Sequence, residues 1–306
     1  MLAMKRLLPL LLVPLAIAGP AAAHGVGPPH VEPGWTLDPA VTIPLAVSLV
    51  LYALGAGRLL ARGGPGRPTR VRGALLFTGG WLALAGAVVS PLHELGERSF
   101  AAHMVEHELL MLVAAPLLVL ARPLSVMLWA FPGMARKGLG AASRDGVVRG
   151  AWRRLTESWT ATLLQITALW IWHAPALFDR ALDHPAWHLA QHLSFLITAL
   201  LFWSAMFEAK RGERALGGPV LCLFTTSVVG GALGALMALS QSPWFARYAE
   251  LGMAPFGLTP VEDQQLAGLL MWIPGGLVHA GAALVLVGRA LVSSGDPYEA
   301  RQASRP

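Results

Sequence analysis

Seven apolar segments, each about 20 residues long and so able to cross a bilayer as a helix, constrain this chain most strongly. They lie near 39–60, 73–92, 103–121, 159–178, 188–207, 216–240 and 266–290. Hydrophobic residues make up 55% of the 306-residue chain and charged residues only 13%. That balance excludes a soluble enzyme, a nucleic-acid-binding module and a disordered tail. The sequence therefore predicts an all-α, polytopic membrane helical bundle with seven transmembrane helices.

The N-terminus is typical of a secretory signal. Lys5 and Arg6 precede the apolar stretch 7–18, and Ala21-Ala22-Ala23 offers a cleavage site. We expect residues 1–23 to be a signal peptide or an uncleaved N-terminal anchor. Residues 24–292 would then form the seven-helix membrane domain, and residues 293–306 a cytoplasmic tail.

The distribution of positive charge predicts the orientation. The loops at 58–72, 121–158 and 208–215, together with the tail from 289, hold eighteen of the 23 lysines and arginines. The opposite side holds only Arg98, Arg180 and Arg247. By the positive-inside rule the mature N-terminus lies outside and the C-terminus in the cytoplasm, in a bacterial cytoplasmic (inner) membrane. The net charge of +6 then suits the lipid bilayer as a partner, and no nucleic-acid partner is expected.

Histidine is the residue type that suggests chemistry. His103 and His107 begin the third segment, and His188 and His192 begin the fifth; members of each pair are four apart and share one helix face. Each pair follows a helix with its own histidine at the same side, His93 or His173. We expect the four paired imidazoles to lie at a similar depth on the outer side.

The donor set points to copper before zinc. Cys222 is the only cysteine, so soft-metal chemistry must use histidine and methionine. Thioethers on the same side favour Cu(I), Met271 among them. Glu106 and Asp263 are candidates to hydrogen-bond a ligand, although Asp263 also suits helix capping. If cleavage follows Ala23, His24 would offer copper an amine as well as an imidazole.

Several alternatives stay open for these histidines. They could pack without binding a metal, and facing helical pairs could also be axial ligands of haem. His103 to His107 matches the H-x-x-E-H pattern of some metalloproteases, but a third ligand is not identifiable. We find no nucleophile triad, phosphate loop or dinucleotide motif, and we predict no catalytic residues and no enzyme.

Several stretches together resemble one family. They are Ser90-Pro91-Leu92, Phe100, 103–110, Ala115-Pro116-Leu117-Leu118, 170–175, 188–192 and 263–274. Over roughly residues 40–292 the chain is similar to the CtaG family, the seven-helix assembly factors of caa3-type cytochrome c oxidase. Two features depart from it: Glu106 stands where many relatives are expected to have Gln, and the N-terminal part with His24 and His30 is extra.

The resemblance implies a role in forming active cytochrome c oxidase at a metal-insertion step, with oxidase subunits as partners. We therefore predict a non-enzymatic assembly factor that presents copper from the outer face to an oxidase subunit. The predicted ligands are His103, His107, His188 and His192, with His173, His93 and Met271 as further ligands. Haem handling and scaffolding are the alternatives, and an intramembrane metalloprotease is the least favoured.

Overall fold

The computed structural model describes residues 33–64, 66–207 and 213–303. The predicted signal segment, His24 and His30 lie outside the described residues. Within the described residues the backbone is helical and forms no strand. The helices, in chain order, are α1 Pro39–Leu60, α2 Arg67–Val88, α3 Pro91–Gly96, α4 Phe100–Ala121, α5 Pro123–Met127, α6 Gly133–Ala142, α7 Gly146–Leu155, α8 Ser158–Trp172, α9 Pro175–Asp183, α10 Pro185–Phe207, α11 Glu213–Leu239, α12 Ala246–Leu251 and α13 Pro260–Ala303.

Six of these helices are long and apolar enough to cross a membrane: α1, α2, α4, α10, α11 and α13. A seventh span arises if α8 and α9 count as one broken helix. The chain is thus an all-α polytopic membrane bundle, as the sequence predicts. The last helix continues to Ala303, so the backbone stays helical through most of the segment assigned to a tail.

The fourth predicted span is bent by 76° between α8 and α9. Proline disfavours helical geometry at the residue before it, and Ala174, which precedes Pro175, is extended. With 15 residues α8 covers about 22 Å, which is short for a hydrocarbon core of about 30 Å. The bend places His173 at the break, facing the bundle interior, where it is 3% exposed.

Glycines allow α11 and α13 to pack closely against each other. A Cβ on Gly234 would lie 2.7 Å from the carbonyl oxygen of Gly268, and one on Gly268 would lie 2.5 Å from the backbone nitrogen of Ala238. Only glycine permits such backbone contact, which replaces side-chain packing with close van der Waals contact in a membrane. This pair of helices forms one wall of the bundle behind α4.

A π-helical stretch, Leu109–Ala114, interrupts α4 directly after the first histidine pair. The indole Nε1 of Trp203 on α10 donates a hydrogen bond of 2.8 Å to the carbonyl oxygen of Met111 inside it. Such bulges are rare and occur often at functional sites. Here the bulge ends the face that carries the histidines and links α4 to α10.

Candidate metal centre

Four helical segments bring histidines to one end of the bundle. α4 contributes His103 and His107, and α10 contributes His188 and His192, each pair one helical turn apart. His93 lies on the short α3, and His173 lies at the break after α8. We call these six residues the histidine cluster.

The two predicted pairs meet. Within each pair the ring centroids are 4.4 Å apart. Across the helices, the ring of His103 lies 5.2 Å from that of His188 and 5.8 Å from that of His192. The ring of His107 lies 5.2 Å from that of His192. The four imidazoles therefore form one compact group.

His93 joins this group through two contacts. Its ring stacks on that of His188 at a centroid distance of 5.1 Å. Its Nδ1 donates a hydrogen bond of 2.8 Å to Oε1 of Glu106, which lies on the same face of α4 as His103. Glu106 thus orients His93. Its second carboxylate oxygen, Oε2, faces His103 and lies 3.9 Å from Nδ1 of that residue.

The charge of Glu106 also acts on His93. Burial lowers the pKa of the His93 imidazole, but the hydrogen bond to Glu106 and the negative charges of Glu106, Glu97 and Glu94 outweigh burial. The net result is a pKa above the usual value for histidine. The hydrogen bond to Glu106 places the proton of the neutral ring on Nδ1, so Nε2 carries the lone pair whenever His93 is neutral.

His173 reaches the cluster from the side. Its ring lies 6.2 Å from that of His107. Nδ1 donates to the carbonyl oxygen of Leu169 at 2.7 Å, so Nε2 carries the lone pair and lies 3.5 Å from the sulfur of Met104. A thioether and an imidazole nitrogen thus adjoin the paired histidines.

Buried donor atoms without partners are the main signal at this site. Neither ring nitrogen of His103 or His107 has a hydrogen-bond partner among the described residues, and the same holds for Nε2 of His188 and of His192. Oε2 of Glu106 is also buried without a hydrogen-bond partner among the described residues. His103 and Glu106 are fully buried and His107 is 1% exposed. Native proteins rarely bury so many polar atoms unpaired unless something binds them.

The spacing of these atoms suits a single ion. One ligand atom each from His103, Glu106, His188 and His192 lies within 4.8 Å of the other three. Metal–nitrogen bonds of about 2.0–2.1 Å require ligand atoms within roughly 4 Å of each other, so small rotamer shifts suffice. Candidate ligand atoms from two helices thus lie around one point.

Two predicted residues lie elsewhere. The buried carboxylate of Asp263 accepts hydrogen bonds from Ser99 Oγ at 2.7 Å and from the backbone nitrogens of Phe100 at 2.6 Å and Ala101 at 3.3 Å. It therefore caps the first turn of α4, the helix that carries His103. Met271 lines a small cavity deeper in the bundle.

That small cavity, of about 50 Å³, is lined by Glu108, Gln165 and His279 as well as Met271. Oε2 of Glu108 and Oε1 of Gln165 have no hydrogen-bond partner among the described residues. His279 donates to the carbonyl oxygen of Gly275 at 2.6 Å.

A much larger cavity, about 730 Å³ in volume, opens beside the histidine cluster. His93, His188 and His192 lie in its wall, between α1 and α10. Its lining is mostly apolar and also includes four carboxylates and two guanidinium groups: Asp38, Glu94, Glu97, Asp183, Arg98 and Arg247. The cavity borders the cluster on the side of His93, His188 and His192, whereas His103 and His107 on α4 are buried and do not line it.

Sequence reasoning placed Met104 among the methionines on the outer side without predicting it as a ligand, and it did not single out Gln191 or Gly96. Met104 contacts His173, and Gln191 is fully buried between His188 and His192 in sequence. Gly96 lets α3 approach α4, because a Cβ there would lie 2.6 Å from Oε2 of Glu106. Position beside a histidine could have indicated the first two, but nothing local in the sequence indicates the contact of Gly96.

Comparison with known protein families gives a match over most of the chain. The family described as cytochrome c oxidase caa3 assembly factor (Caa3_CtaG) matches residues 50–293. Uncharacterized proteins of Mycobacterium bovis and Mycobacterium tuberculosis are each 26% identical over 278 residues. That alignment covers 89% of this chain and 40% of each relative, so the chain spans about two fifths of their length. No solved structure matches.

Proposed function

Because this chain belongs to the cytochrome c oxidase caa3 assembly factor family, we propose that it supports oxidase assembly by holding copper in the histidine cluster and passing it to an oxidase subunit. Copper is cargo in this proposal, and the protein catalyses no reaction. The family supports the role in assembly, and the geometry of the cluster supports the metal step.

The observation that carries the proposal is the set of buried, unpartnered nitrogens on His103, His107, His188 and His192. Burying a polar atom without a hydrogen bond costs about 1–3 kcal/mol. Several such costs at one point are offset if a metal ion accepts the lone pairs. Because the donors come from two helices, binding also ties α4 to α10.

The donor types favour copper over zinc or a hard cation. Imidazole suits copper, iron and zinc, and thioether sulfur, here Met104, adds a preference for Cu(I). Cys222, fully buried, lies on α11 and is not among the residues of the histidine cluster. A set of imidazoles without thiolate gives an affinity low enough for transfer, which an assembly factor requires.

Ring packing favours a bare ion over haem. A porphyrin between two axial histidines would separate their rings, yet the rings of His103, His188, His107 and His192 pack against each other at 4.4–5.8 Å. The hydrogen bond between Glu106 and His93 likewise favours an orienting role for this carboxylate over that of a protease base.

The charge distribution supports an outward-facing cluster. The loops at the other end of the bundle carry most of the lysines and arginines, so we assign them to the cytoplasm and the histidine end to the outer face of the bacterial cytoplasmic membrane. Copper would therefore be presented to a domain of the oxidase outside the cytoplasm.

The proposal is tested in cells that lack their own copy of this protein. They would receive the wild type, the double variant His103→Ala/His107→Ala, or His184→Ala, whose exposed histidine lies outside the cluster. We expect the double variant to reach wild-type levels in the membrane but to give oxidase with less than about a tenth of its copper, since loss of two ligands removes most metal affinity. Copper-replete oxidase with the double variant would refute the copper step.

A further inference from the structure

We propose that the small cavity between α4, α8 and α13 is a second copper site, which binds one Cu(I) ion through the thioethers of Met111 and Met271, with Glu108 as the neutralising carboxylate. The existence of a soft-cation site stands on the residues of this cavity alone. The choice of copper as its ion rests on the function proposed above.

The cavity lies deeper in the membrane-spanning region than the histidine cluster. Met111 is near the centre of α4, and Gln165 is near the centre of α8. The cluster lies at the end of the bundle where α4 begins, and Glu108 follows its residue His107 directly. With a rise of 1.5 Å per residue, Met111 lies about 6 Å beyond His107 along the helix. The two sites are therefore neighbours.

Two polar atoms at this cavity are buried without a partner. Oε2 of Glu108 and Oε1 of Gln165 accept no hydrogen bond from any of the described residues, and Gln165 is only 7% exposed. Such groups within a membrane span are costly unless a partner or an ion satisfies them. Space remains beside the carboxylate, because even a Cβ on Gly275 would lie 3.8 Å from Oε2 of Glu108. The volume of about 50 Å³ suits one small occupant.

Three soft donors line the same cavity. They are the thioethers of Met111 and Met271 and the imidazole of His279. Nδ1 of His279 donates to the carbonyl oxygen of Gly275 at 2.6 Å, which leaves the lone pair of the neutral ring on Nε2. Thioether and imidazole are the ligands that favour Cu(I) over hard cations.

The charge of the cavity favours a monovalent ion. Among the described residues that line it, Glu108 is the only carboxylate, and none is a lysine or an arginine. One Cu(I) ion and one carboxylate together carry no net charge. A divalent ion would leave an uncompensated charge inside the membrane span, which is costly. The cavity thus suits Cu(I) better than Zn(II) or Cu(II).

The π-helical stretch of α4 fixes the position of Met111. Its carbonyl oxygen accepts a hydrogen bond of 2.8 Å from Nε1 of Trp203, and its sulfur accepts one of 3.1 Å from the amide of Gln165 on α8. Seven residues earlier on α4, the sulfur of Met104 lies 3.5 Å from Nε2 of His173, at the end of α8. The helix therefore presents two thioethers toward α8, about 10 Å apart, one at the cluster and one at the cavity.

The second site binds copper more weakly than the cluster does. The cluster offers several imidazoles, whereas the cavity offers His279 alone. The sulfur of Met111 must also give up its hydrogen bond from Gln165 when it binds an ion. An ion in the cavity therefore leaves when the protein is washed, and a measurement at equilibrium is needed to detect it.

Anaerobic equilibrium dialysis against buffered Cu(I) tests the site in the purified full chain. We expect two ions per wild-type chain and one in Met111→Leu/Met271→Leu, because leucine replaces methionine at little cost in packing but supplies no donor. Met206→Leu/Met237→Leu is the matched control, since both methionines are fully buried and neither lines the cavity, and it should bind two ions. A wild type that binds only one ion, or equal binding by all three proteins, would overturn the proposal.

Two further measurements test the role of charge. Glu108→Gln should lower the affinity for the second ion at least about tenfold and leave the first unchanged, because the neutralising carboxylate is lost. Dialysis of the wild type against Zn(II) should give at most one ion per chain. An unchanged second affinity in Glu108→Gln, or two zinc ions per chain, would overturn the assignment to a monovalent ion.

The second site and the proposed function fail separately. In a folded His188→Ala/His192→Ala protein, which lacks the cluster, we expect one Cu(I) ion at equilibrium, and we expect Met111→Leu/Met271→Leu in the same background to remove it. No copper in the cluster variant would overturn the second site. Copper that the washed wild type retains decides the proposed function independently, because washing removes the ion of the second site.

Discussion

Replacing Asp263 tests how the fold positions the histidines of α4. Its carboxylate, 2% exposed, accepts two short hydrogen bonds from buried donors, at 2.7 Å from Ser99 Oγ and 2.6 Å from the backbone nitrogen of Phe100. Hydrogen bonds to a charged group contribute about 1.5–3 kcal/mol each. Taking the lower figure for the two bonds, Asp263→Ala should lower the free energy of unfolding by about 3 kcal/mol.

Thermal unfolding in detergent measures this loss. For a bundle of this size about 3 kcal/mol corresponds to a decrease in Tm on the order of 6–12 °C. Because the first turn of α4 holds His103, we also expect copper affinity to fall on the order of tenfold. Asp263→Asn, which keeps one acceptor oxygen, should lie between the wild type and the alanine variant.

Glu262→Gln is the matched control. Glu262 is the neighbouring acid on the same helix turn and accepts bonds of 2.8 Å from the backbone nitrogen and the hydroxyl of Thr259, but these bonds are exposed to water. We expect it to change Tm and copper affinity far less than Asp263→Ala does. If Asp263→Ala unfolds at the wild-type temperature, or no lower than Glu262→Gln, the capping argument is wrong.

Three further predictions use the same preparation. Gly96→Ala should weaken copper binding on the order of tenfold, because its Cβ would displace the Glu106 carboxylate, while Gly86→Ala, with open space around it, should leave binding unchanged in a titration. Gly268→Ala should lower the free energy of unfolding by about 1–3 kcal/mol, because the added Cβ would push α11 away from α13. Gly281→Ala, which has open space around it, should leave the stability unchanged, and equal Tm values for the two variants would contradict the close contact. Copper binding should weaken as the pH falls, because protons compete with the metal for the imidazole nitrogens, and an affinity that does not change with pH would contradict histidine ligation.

Much of the fold follows from local sequence patterns. Apolar stretches of spanning length predict the membrane helices. Lipid cannot hydrogen-bond backbone N–H and C=O groups, so a spanning segment must pair them within a helix. The spacing of His103 to His107 and of His188 to His192 places each pair on one face, because 3.6 residues make a turn. Both predictions use only the residues that lie close together in the sequence.

The remaining features depend on contacts between distant parts of the chain. Asp263 caps α4 across more than 160 residues, and no local pattern separates this role from capping of its own helix. The contact between Gly96 and Glu106 depends on how closely α3 approaches α4. The bend near His173 has a local signal in Pro175, but its direction is set by packing of α9 on the bundle.

Copper content of the purified protein tests the central claim most directly. The wild type, His188→Ala/His192→Ala and His184→Ala would be loaded anaerobically with Cu(I), washed, and analysed for copper per chain. The account predicts one equivalent in the wild type and in His184→Ala, and none in a folded double variant, because the cluster supplies the ligands. Equal copper in all three proteins, or none in any, would contradict it.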